Sequence, residues 1–306
     1  MPEPDSYLLG RSLPEEERLK RQIADLAPDS DAQLEKIGIK SGEKIVDIGC
    51  GPGGVLHLLA KRVGPTGAIL GIDRSAHFVE QARRFAADLG LMQVEVREGD
   101  AYDTGLPRAS FDGAHMRLVL VNVPKPELIV REVVSLVKPG GWVASFEAEE
   151  ARVIDPLPPE YTRLRAAYEA HARSQGIDLD IGRRTHRLFR EAGLIDIHVD
   201  AVVHVYPVGH SRRPIFRDFI DNVRDKLIDG GFISRPELES DLALFEEKLA
   251  DSAVLMTSVL HFLLRGRVPA GRKTSAREKA PRPRGIERGA LTSAIHVGPG
   301  IAPVPT

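Results

Sequence analysis

The feature that most constrains this chain is a run of closely spaced glycines between a short apolar segment and a longer one. Segment 44–48 has strand character, residues 49–54 contain four glycines, and an apolar helical pattern follows over 55–63. Glycine adopts positive φ angles freely and lets a ligand approach the backbone, and the start of the next helix offers unpaired N–H groups. The run therefore predicts a strand–loop–helix unit that can bind a nucleotide-like ligand.

Short apolar segments alternate with helical patterns through the first half of the chain. Strand character is found over 44–48, 68–72, 94–96, 111–116 and 142–146, and helical periodicity over 55–63, 75–89 and 127–137. Such alternation is typical of an α/β fold with a doubly wound, mostly parallel sheet and right-handed crossovers. Two later strands are predicted over 195–205 and 258–265, and the last of these is expected at an edge of the sheet, running antiparallel.

The pattern divides the chain into four regions. We expect an N-terminal helical cap of two short helices separated at Pro28, then an α/β core, a region with helical lid insertions, and a basic tail rich in Pro and Gly that is disordered. In the same order, these regions are 1–43, 44–150, 151–267 with insertions at about 155–182 and 211–256, and 268–306. The helices expected in the third region are 161–175, 185–192, 214–228 and 236–256.

Charge and cysteine content exclude several classes of protein. The chain has 42 Lys and Arg residues against 44 Asp and Glu residues, a formal net charge of −2, so nucleic-acid binding through an overall positive field is not expected. Cys50 is the only cysteine and no metal-ligand spacing is found, so a reducing cytoplasmic location without a metal site is predicted. No segment approaches the ~18 apolar residues of a membrane span, and the acidic start does not resemble a signal peptide.

The glycines alone do not decide which nucleoside is bound. Gly49, Gly51 and Gly54 fit a G-x-G-x-x-G pattern, whereas Gly49, Gly51 and Gly53 fit G-x-G-x-G. Asp73, at the end of the second strand, suits the hydroxyls of a ribose in either case. The glycine pattern is therefore equally consistent with an NAD(P)-dependent oxidoreductase and with a protein that binds another adenosine-type ligand.

One carboxylate and five short segments favour the second alternative, an adenosine-type ligand other than NAD(P). Asp47 precedes the glycines, where a negative charge would repel a pyrophosphate but suit an amino-acid ammonium. The chain resembles the class I S-adenosylmethionine-dependent methyltransferases, especially the small-molecule branch that includes enzymes of ubiquinone and menaquinone biosynthesis. The segments that carry the resemblance are VDIGCGPGG (46–54), LGIDRS (70–75), EGDA (98–101), FDGAHMRLVL (111–120) and VKPGGW (137–142).

The resemblance implies a Rossmann-like sheet of seven strands, S-adenosylmethionine as cofactor, and methyl transfer to a small organic acceptor. It also implies that the methionine part of the cofactor is held at the glycine loop, by Asp47, Gly49, Cys50, Gly51 and Gly53. The ribose and adenine would be bound at the next two strand ends, by Asp73, Arg74, Asp100 and Ala101. Arg117 and Leu118, after the fourth strand, would border the methyl donor. Asn122 stands near a position where relatives often have His.

No catalytic base can be assigned from the sequence. Methyl transfer from a sulfonium mainly requires alignment of the reactants, and a base is needed only when the acceptor must lose a proton. Glu147, His204, Tyr206 and His210 are candidates because they lie near the ends of predicted strands. The alternatives are an NAD(P)-dependent oxidoreductase and a non-catalytic module that binds S-adenosylmethionine, and a homodimer is one expectation for the assembly.

Overall fold

The computed structural model describes residues 13–149 and 152–270. The strands are β1 Lys44–Ile48, β2 Ala68–Asp73, β3 Val94–Glu98, β4 Phe111–Arg117, β5 Val137–Glu149, β6 Ile154–Asp155, β7 Ile195–Val202, β8 Leu255–Met256 and β9 Leu260–Arg267. The helices are α1 Leu13–Ile37, α2 Leu56–Val63, α3 Ala76–Asp88, α4 Pro126–Leu136, α5 Pro159–Ser174, α6 Ile181–Glu191, α7 Ile215–Asp229 and α8 Arg235–Ala250.

Seven of the strands form one sheet in the order β3-β2-β1-β4-β5-β9-β7. The contacts among β3, β2, β1, β4 and β5 are parallel, and β9 runs antiparallel to both β5 and β7. The predicted fold class, a doubly wound and mostly parallel α/β sheet with helical additions, is therefore confirmed. The antiparallel strand lies one position inside the edge, since β7 pairs on its outer side.

The strand ends on one edge of the sheet are positioned by continuous apolar packing behind them. Ile45, Val46 and Ile48 of β1 are fully buried because the strand has neighbours on both sides and helices on both faces. The first turn of α3 is capped by Ser75, whose hydroxyl accepts a hydrogen bond from the backbone N–H of Phe78, as its position before the helix predicted.

The predicted break at Pro28 is wrong, because α1 runs through this proline without interruption. Proline removes one backbone hydrogen bond from a helix, but the residues that follow are fixed to the sheet. The Gln33 side-chain amide donates to the carbonyl oxygens of Ser145 (2.9 Å) and Leu264 (3.1 Å), and Leu34 is fully buried. These tertiary contacts outweigh the local preference of the sequence.

The helix predicted over 236–256 ends early, at Ala250. Arg213 is buried beside this end, and its Nε donates to the carbonyl oxygen of Leu249 (2.7 Å) and its Nη2 to those of Asp251 and Val254 (both 2.9 Å). The guanidinium thus satisfies the carbonyl groups that a continuing helix would have used. The chain then turns into β8, which pairs with β6.

Helices α5, α7 and α8 share an apolar core beside the sheet. Tyr161 of α5 packs on Phe216 of α7, with 4.7 Å between ring centroids, and Phe216 packs on Phe245 of α8 at 5.8 Å. All three rings are buried, so these helices are stabilised by their own aromatic cluster as well as by the sheet. These helices lie within the predicted insertions at about 155–182 and 211–256, whose role as a lid stays a prediction.

The chain between 203 and 270 departs from the sequence prediction in two further places. Strand β7 ends at Val202 rather than at residue 205. Val268, placed in the predicted tail, pairs instead with Gly140 and Gly141 through backbone hydrogen bonds of 2.9 Å; the remainder of that tail, from residue 271, lies outside the described residues. Within the described ranges, no helix has both the length and the apolar character needed to cross a membrane.

Candidate functional site

The glycine loop after β1 is held against the end of β2. The backbone N–H of Gly49 donates to the carbonyl oxygen of Ile72 (2.7 Å), and that of Gly51 donates to Oδ2 of Asp73 (2.9 Å). The other carboxylate oxygen of Asp73 accepts the N–H of Ser75 at 2.9 Å. Gly49 and Gly51 have φ angles of 68° and 55°, which only glycine adopts at low cost. Asp73 is thereby fixed at the strand end with its charge beside the loop.

A single elongated cavity runs along this edge of the sheet. Most of the residues predicted to bind the cofactor line it: Gly49, Gly51, Asp73, Arg74, Asp100, Ala101, Arg117 and Leu118. The opposite wall comes from helical residues, among them Arg18 of α1, Tyr168 of α5 and Phe219 of α7. The two carboxylates Asp73 and Asp100 therefore share one hollow.

The other three predicted residues lie behind the loop. Asp47 is 2% exposed and its Oδ1 lies 2.8 Å from Nδ1 of the buried His115, so it forms a buried polar pair. Cys50 is also buried; burial raises the pKa of its thiol well above the ordinary value, and the nearby charges of Asp47 and Asp73 raise it further. A Cβ on Gly53 would lie 2.6 Å from the ring of Phe85. These residues shape the loop, and direct contact between their side chains and a ligand stays a prediction.

The wall that follows β4 is a strained turn. Leu118 has a φ of 55°, rare for a residue other than glycine, and its N–H donates to the carbonyl oxygen of Phe146 at 2.8 Å. The side-chain amide of Asn122 donates to the carbonyl oxygen of Leu118 at 2.8 Å. Asn122 and Leu118 both line the cavity, so the amide at this position supports the turn that forms the wall.

Glu147, a candidate base, holds this turn from behind. Its carboxylate accepts hydrogen bonds from the backbone N–H groups of residues 119–121 (3.1–3.2 Å) and from the hydroxyl of Ser145 (3.1 Å). Burial raises the pKa of Glu147 to about 7, while the donated hydrogen bonds favour the ionised form. The side chain is fully buried and is not part of the cavity wall, so its geometry fits a positioning residue rather than a base.

Of the remaining candidates, only Tyr206 lines the cavity. His204 is not part of the cavity wall, and its Nε2 lies 2.7 Å from Oδ2 of Asp29. His210 stacks on Tyr206 with 4.8 Å between ring centroids, and its Nδ1 accepts the backbone N–H of Arg212. Burial raises the pKa of Tyr206, so its phenol is neutral at physiological pH.

Arg212 and His261 are among the cavity residues that were not identified from the sequence. Arg212, just before α7, is 8% exposed, and His261, in β9, is 2% exposed. Burial, together with the nearby Arg212 and His204, lowers the pKa of His261 to about 3, so its ring is neutral. A polar residue within an apolar strand was the signal available for His261. No local pattern marks Arg212, because tertiary folding brings it to the cavity.

Arg117 reaches the cavity from the end of β4. Its Nη1 donates to the hydroxyl of Ser30 at 3.2 Å, and its Nη2 lies 3.6 Å from the place where a Cβ of Gly54 would be. Burial lowers the pKa of Arg117 to about 10; the carboxylate of Asp47 opposes this shift and the charge of Arg212 adds to it. Arg117 is therefore a cation beside the glycine loop.

The residues at the nucleoside end fit the implied cofactor. No atom lies within 4 Å of the position that a Cβ on Gly51 would take, so the loop leaves open space where a side chain would otherwise be. Asp100, whose Oδ1 accepts the N–H of Tyr102 at 2.9 Å, stands at the next strand end beyond Asp73. Carboxylates beside an open backbone cradle suit ribose hydroxyls and an adenine amino group.

Comparison with known proteins identifies the family. The family model of a methyltransferase domain matches residues 39–193, which is half of the chain. The chain belongs to this methyltransferase domain family. The resemblance to class I S-adenosylmethionine-dependent methyltransferases is thereby confirmed, with S-adenosylmethionine as the cofactor. The matched range contains every residue predicted to bind the cofactor. Membership of this family does not support the alternative of an NAD(P)-dependent oxidoreductase.

Individual relatives are similar to this chain over more than half its length. One is an uncharacterized 37.1 kDa protein of a Streptomyces fradiae transposon, with 35% identity over 60% of this chain and 50% of that protein. Another is demethylmenaquinone methyltransferase of a Geobacillus strain, with 27% identity over 58% of this chain and 83% of that enzyme. The chain spans about half the length of several curated relatives that it matches.

A solved structure shows the same fold. Geranyl diphosphate methyltransferase in complex with S-adenosylmethionine superposes with a TM-score of 0.51 and 16% identity, over 85% of this chain and 94% of that chain. At this level of identity the likeness concerns the fold alone.

Proposed function

We propose that this protein transfers a methyl group from S-adenosylmethionine to an oxygen, nitrogen or carbon atom of a small organic metabolite by in-line displacement. The observation that carries the proposal is the single cavity that joins the glycine loop and Asp73 to a second half walled by helices. One half has the groups for a nucleoside and the other has room for an acceptor, so both reactants can meet in one enclosed space.

The side chains of this protein would act mainly by binding and orientation. Asp73 and Asp100 would accept hydrogen bonds from the nucleoside, and Arg117 would bind the carboxylate of the methionine part beside the loop. S-adenosylmethionine supplies the methyl group and its own leaving group when bound. The turn at Leu118, held by Glu147 and Asn122, would border the reacting atoms.

The helical wall supports a small acceptor. Apolar residues of α5 and α7, including Tyr168 and Phe219, cover the cavity opposite the sheet. Such a cover excludes water from the reaction and leaves little space for a polymer. A nucleic-acid acceptor is accordingly not expected, and the predicted homodimer can be checked by light scattering of the purified protein.

Methyl transfer can be tested separately from cofactor binding. Calorimetric titration of the full chain with S-adenosylmethionine and with NADH should give binding of the first only. Incubation with methyl-labelled S-adenosylmethionine and a panel of phenols, amines and organic acids should then transfer label to one class, with S-adenosylhomocysteine as the second product. Binding without any transfer would favour the non-catalytic alternative, and binding of NADH alone would contradict the proposal.

A further inference from the structure

A buried guanidinium without an anionic partner lies on the cavity wall. The Nε and Nη1 atoms of Arg212 are inaccessible to solvent and donate no hydrogen bond to any group in residues 13–149 or 152–270. Across the same residues, no carboxylate lies within ion-pair distance of this side chain. A buried charge is normally paired, because removing it from water costs free energy that only an opposite charge or good hydrogen bonds can offset. None of the described residues therefore supplies an anion for this side chain, and a bound ligand can supply one.

The neighbours of Arg212 do not supply that anion. The phenol of Tyr206 lies near Arg212 and Ser258, and it is neutral because burial raises its pKa. His261 is neutral as well, since burial lowers its pKa to about 3. The charge of Asp25, on α1, acts on Tyr206, but no ion pair joins Asp25 to Arg212 in the part of the chain that the structure describes. Arg212 thus has no ion-pair partner among the described residues.

The position of Arg212 separates it from the nucleoside groups. Asp73 and Asp100 follow β2 and β3, at one end of the sheet. Arg212 follows β7, and His261 is near the start of β9, at the other end. Strands β1, β4 and β5 lie between, so the cavity has two carboxylates at its nucleoside end and, towards β7 and β9, a guanidinium without a carboxylate partner among the described residues.

The cofactor does not need Arg212. S-adenosylmethionine has one carboxylate, and Arg117 already lies beside the glycine loop where the methionine part would be held. The two cations are close enough for Arg212 to lower the pKa of Arg117. One carboxylate of the cofactor can compensate one of them, and the second cation remains for the acceptor.

We propose that the methyl acceptor is a small organic acid with an apolar, ring-like body, and that Arg212 binds its carboxylate. This inference rests on the proposed methyltransferase function. The planar guanidinium matches a carboxylate through paired hydrogen bonds. The body of the acceptor would contact the apolar part of the wall, which includes Tyr168, Ile215, Phe219 and Val259.

A pair of probes that differ only in charge tests the inference on the full chain. 1-Naphthoate and its uncharged amide, 1-naphthamide, are titrated calorimetrically into the protein saturated with S-adenosylhomocysteine. We expect the acid to bind at least about tenfold more tightly than the amide. The Arg212→Gln variant should remove this preference, whereas Arg173→Gln, a change at an exposed residue of α5 outside the cavity, should leave it intact.

The same titrations separate the two proposals. Equal binding of acid and amide to the unmodified protein would overturn the inference without any variant, and so would an acid preference that persists in Arg212→Gln. A tenfold loss of S-adenosylhomocysteine affinity in Arg212→Gln would also overturn it, because the guanidinium would then belong to the cofactor carboxylate. If the unmodified protein does not bind S-adenosylhomocysteine, the proposed function fails first.

Discussion

Alanine substitutions at three glycines with similar backbone angles can separate stability from ligand binding. Gly38, Gly49 and Gly51 have φ angles of 73°, 68° and 55°. A Cβ on Gly38 or on Gly51 would meet no atom within 4 Å, whereas a Cβ on Gly49 would lie 2.5 Å from Cγ2 of Val119. Gly51 lines the cavity and Gly38 does not.

The expected losses of stability follow from these surroundings. A positive φ costs an alanine about 1–2 kcal/mol, so Gly38→Ala and Gly51→Ala should lower the free energy of unfolding by that amount. Gly49→Ala adds a clash inside a packed region, which costs a further ~1–3 kcal/mol. Urea unfolding measures all three, and the Gly38→Ala variant gives the value for the backbone angle alone.

Ligand binding should follow a different order. The methyl group of Gly51→Ala would fill the open cradle of the loop, so we expect at least a tenfold loss of S-adenosylmethionine affinity, which is about 1.4 kcal/mol. Gly38→Ala should bind the cofactor like the unmodified protein, although it is equally destabilised. If calorimetry gives the two variants the same affinity, the cofactor does not approach the loop at Gly51 and the assignment of the cradle is refuted.

Three further substitutions have expected outcomes. Asp73→Ala should weaken S-adenosylmethionine binding by about 1–3 kcal/mol through lost charge-assisted hydrogen bonds, and unchanged calorimetric affinity would contradict its role at the ribose. Ser234→Ala removes the hydroxyl that accepts the N–H of Glu237 at the start of α8, and should lower the free energy of unfolding by about 1 kcal/mol while cofactor affinity stays the same; an unchanged unfolding curve would show that this cap does not stabilise the helix. His261→Gln tests the buried ring: because its pKa is lowered from 6.5 to about 3 by folding, its contribution to stability is present above pH 6.5 and is lost as the pH falls towards 3. Between pH 7 and pH 5.5 the unmodified protein should lose about 1.3 kcal/mol more unfolding free energy than the variant, and equal losses in urea unfolding would mean that the ring is not buried as a neutral group.

Local sequence was sufficient for the elements whose own residues determine them. Strand β1 was predicted at its observed bounds, because buried parallel strands are continuous apolar runs and this one ends at a glycine. Ser75 was identified as a cap, since a hydroxyl directly before a helix satisfies an N–H of its first turn. Asp47, Asp73 and Asp100 were expected to converge at the loop, because parallel strands end at the same edge of a sheet. Asp73 and Asp100 share the cavity, whereas Asp47 lies behind the loop against His115.

Features that depend on distant contacts could not be predicted. Helix α1 continues through Pro28 because Gln33 bonds to carbonyl groups of two strands, one of them more than 200 residues away in the sequence. Helix α8 ends where Arg213, from a loop before α7, binds its last carbonyl groups. Glu147 was predicted to follow a strand over 142–146, but it lies within β5, which runs to Glu149. Its direction, into the turn rather than into the cavity, depends on where that turn folds.

The charges on the cavity wall define an orientation for the two reactants. Asp73 and Asp100 make one end negative, and an acidic acceptor placed there would meet carboxylates in a partly enclosed space where screening by water is weak. Arg212 makes the other end positive, and the neutral His261 beside it adds no competing charge. With Arg117 bound to the carboxylate of the cofactor, an acidic acceptor would be stabilised most beside Arg212. The same separation places its apolar body against the helical wall, with the glycine loop left to the cofactor.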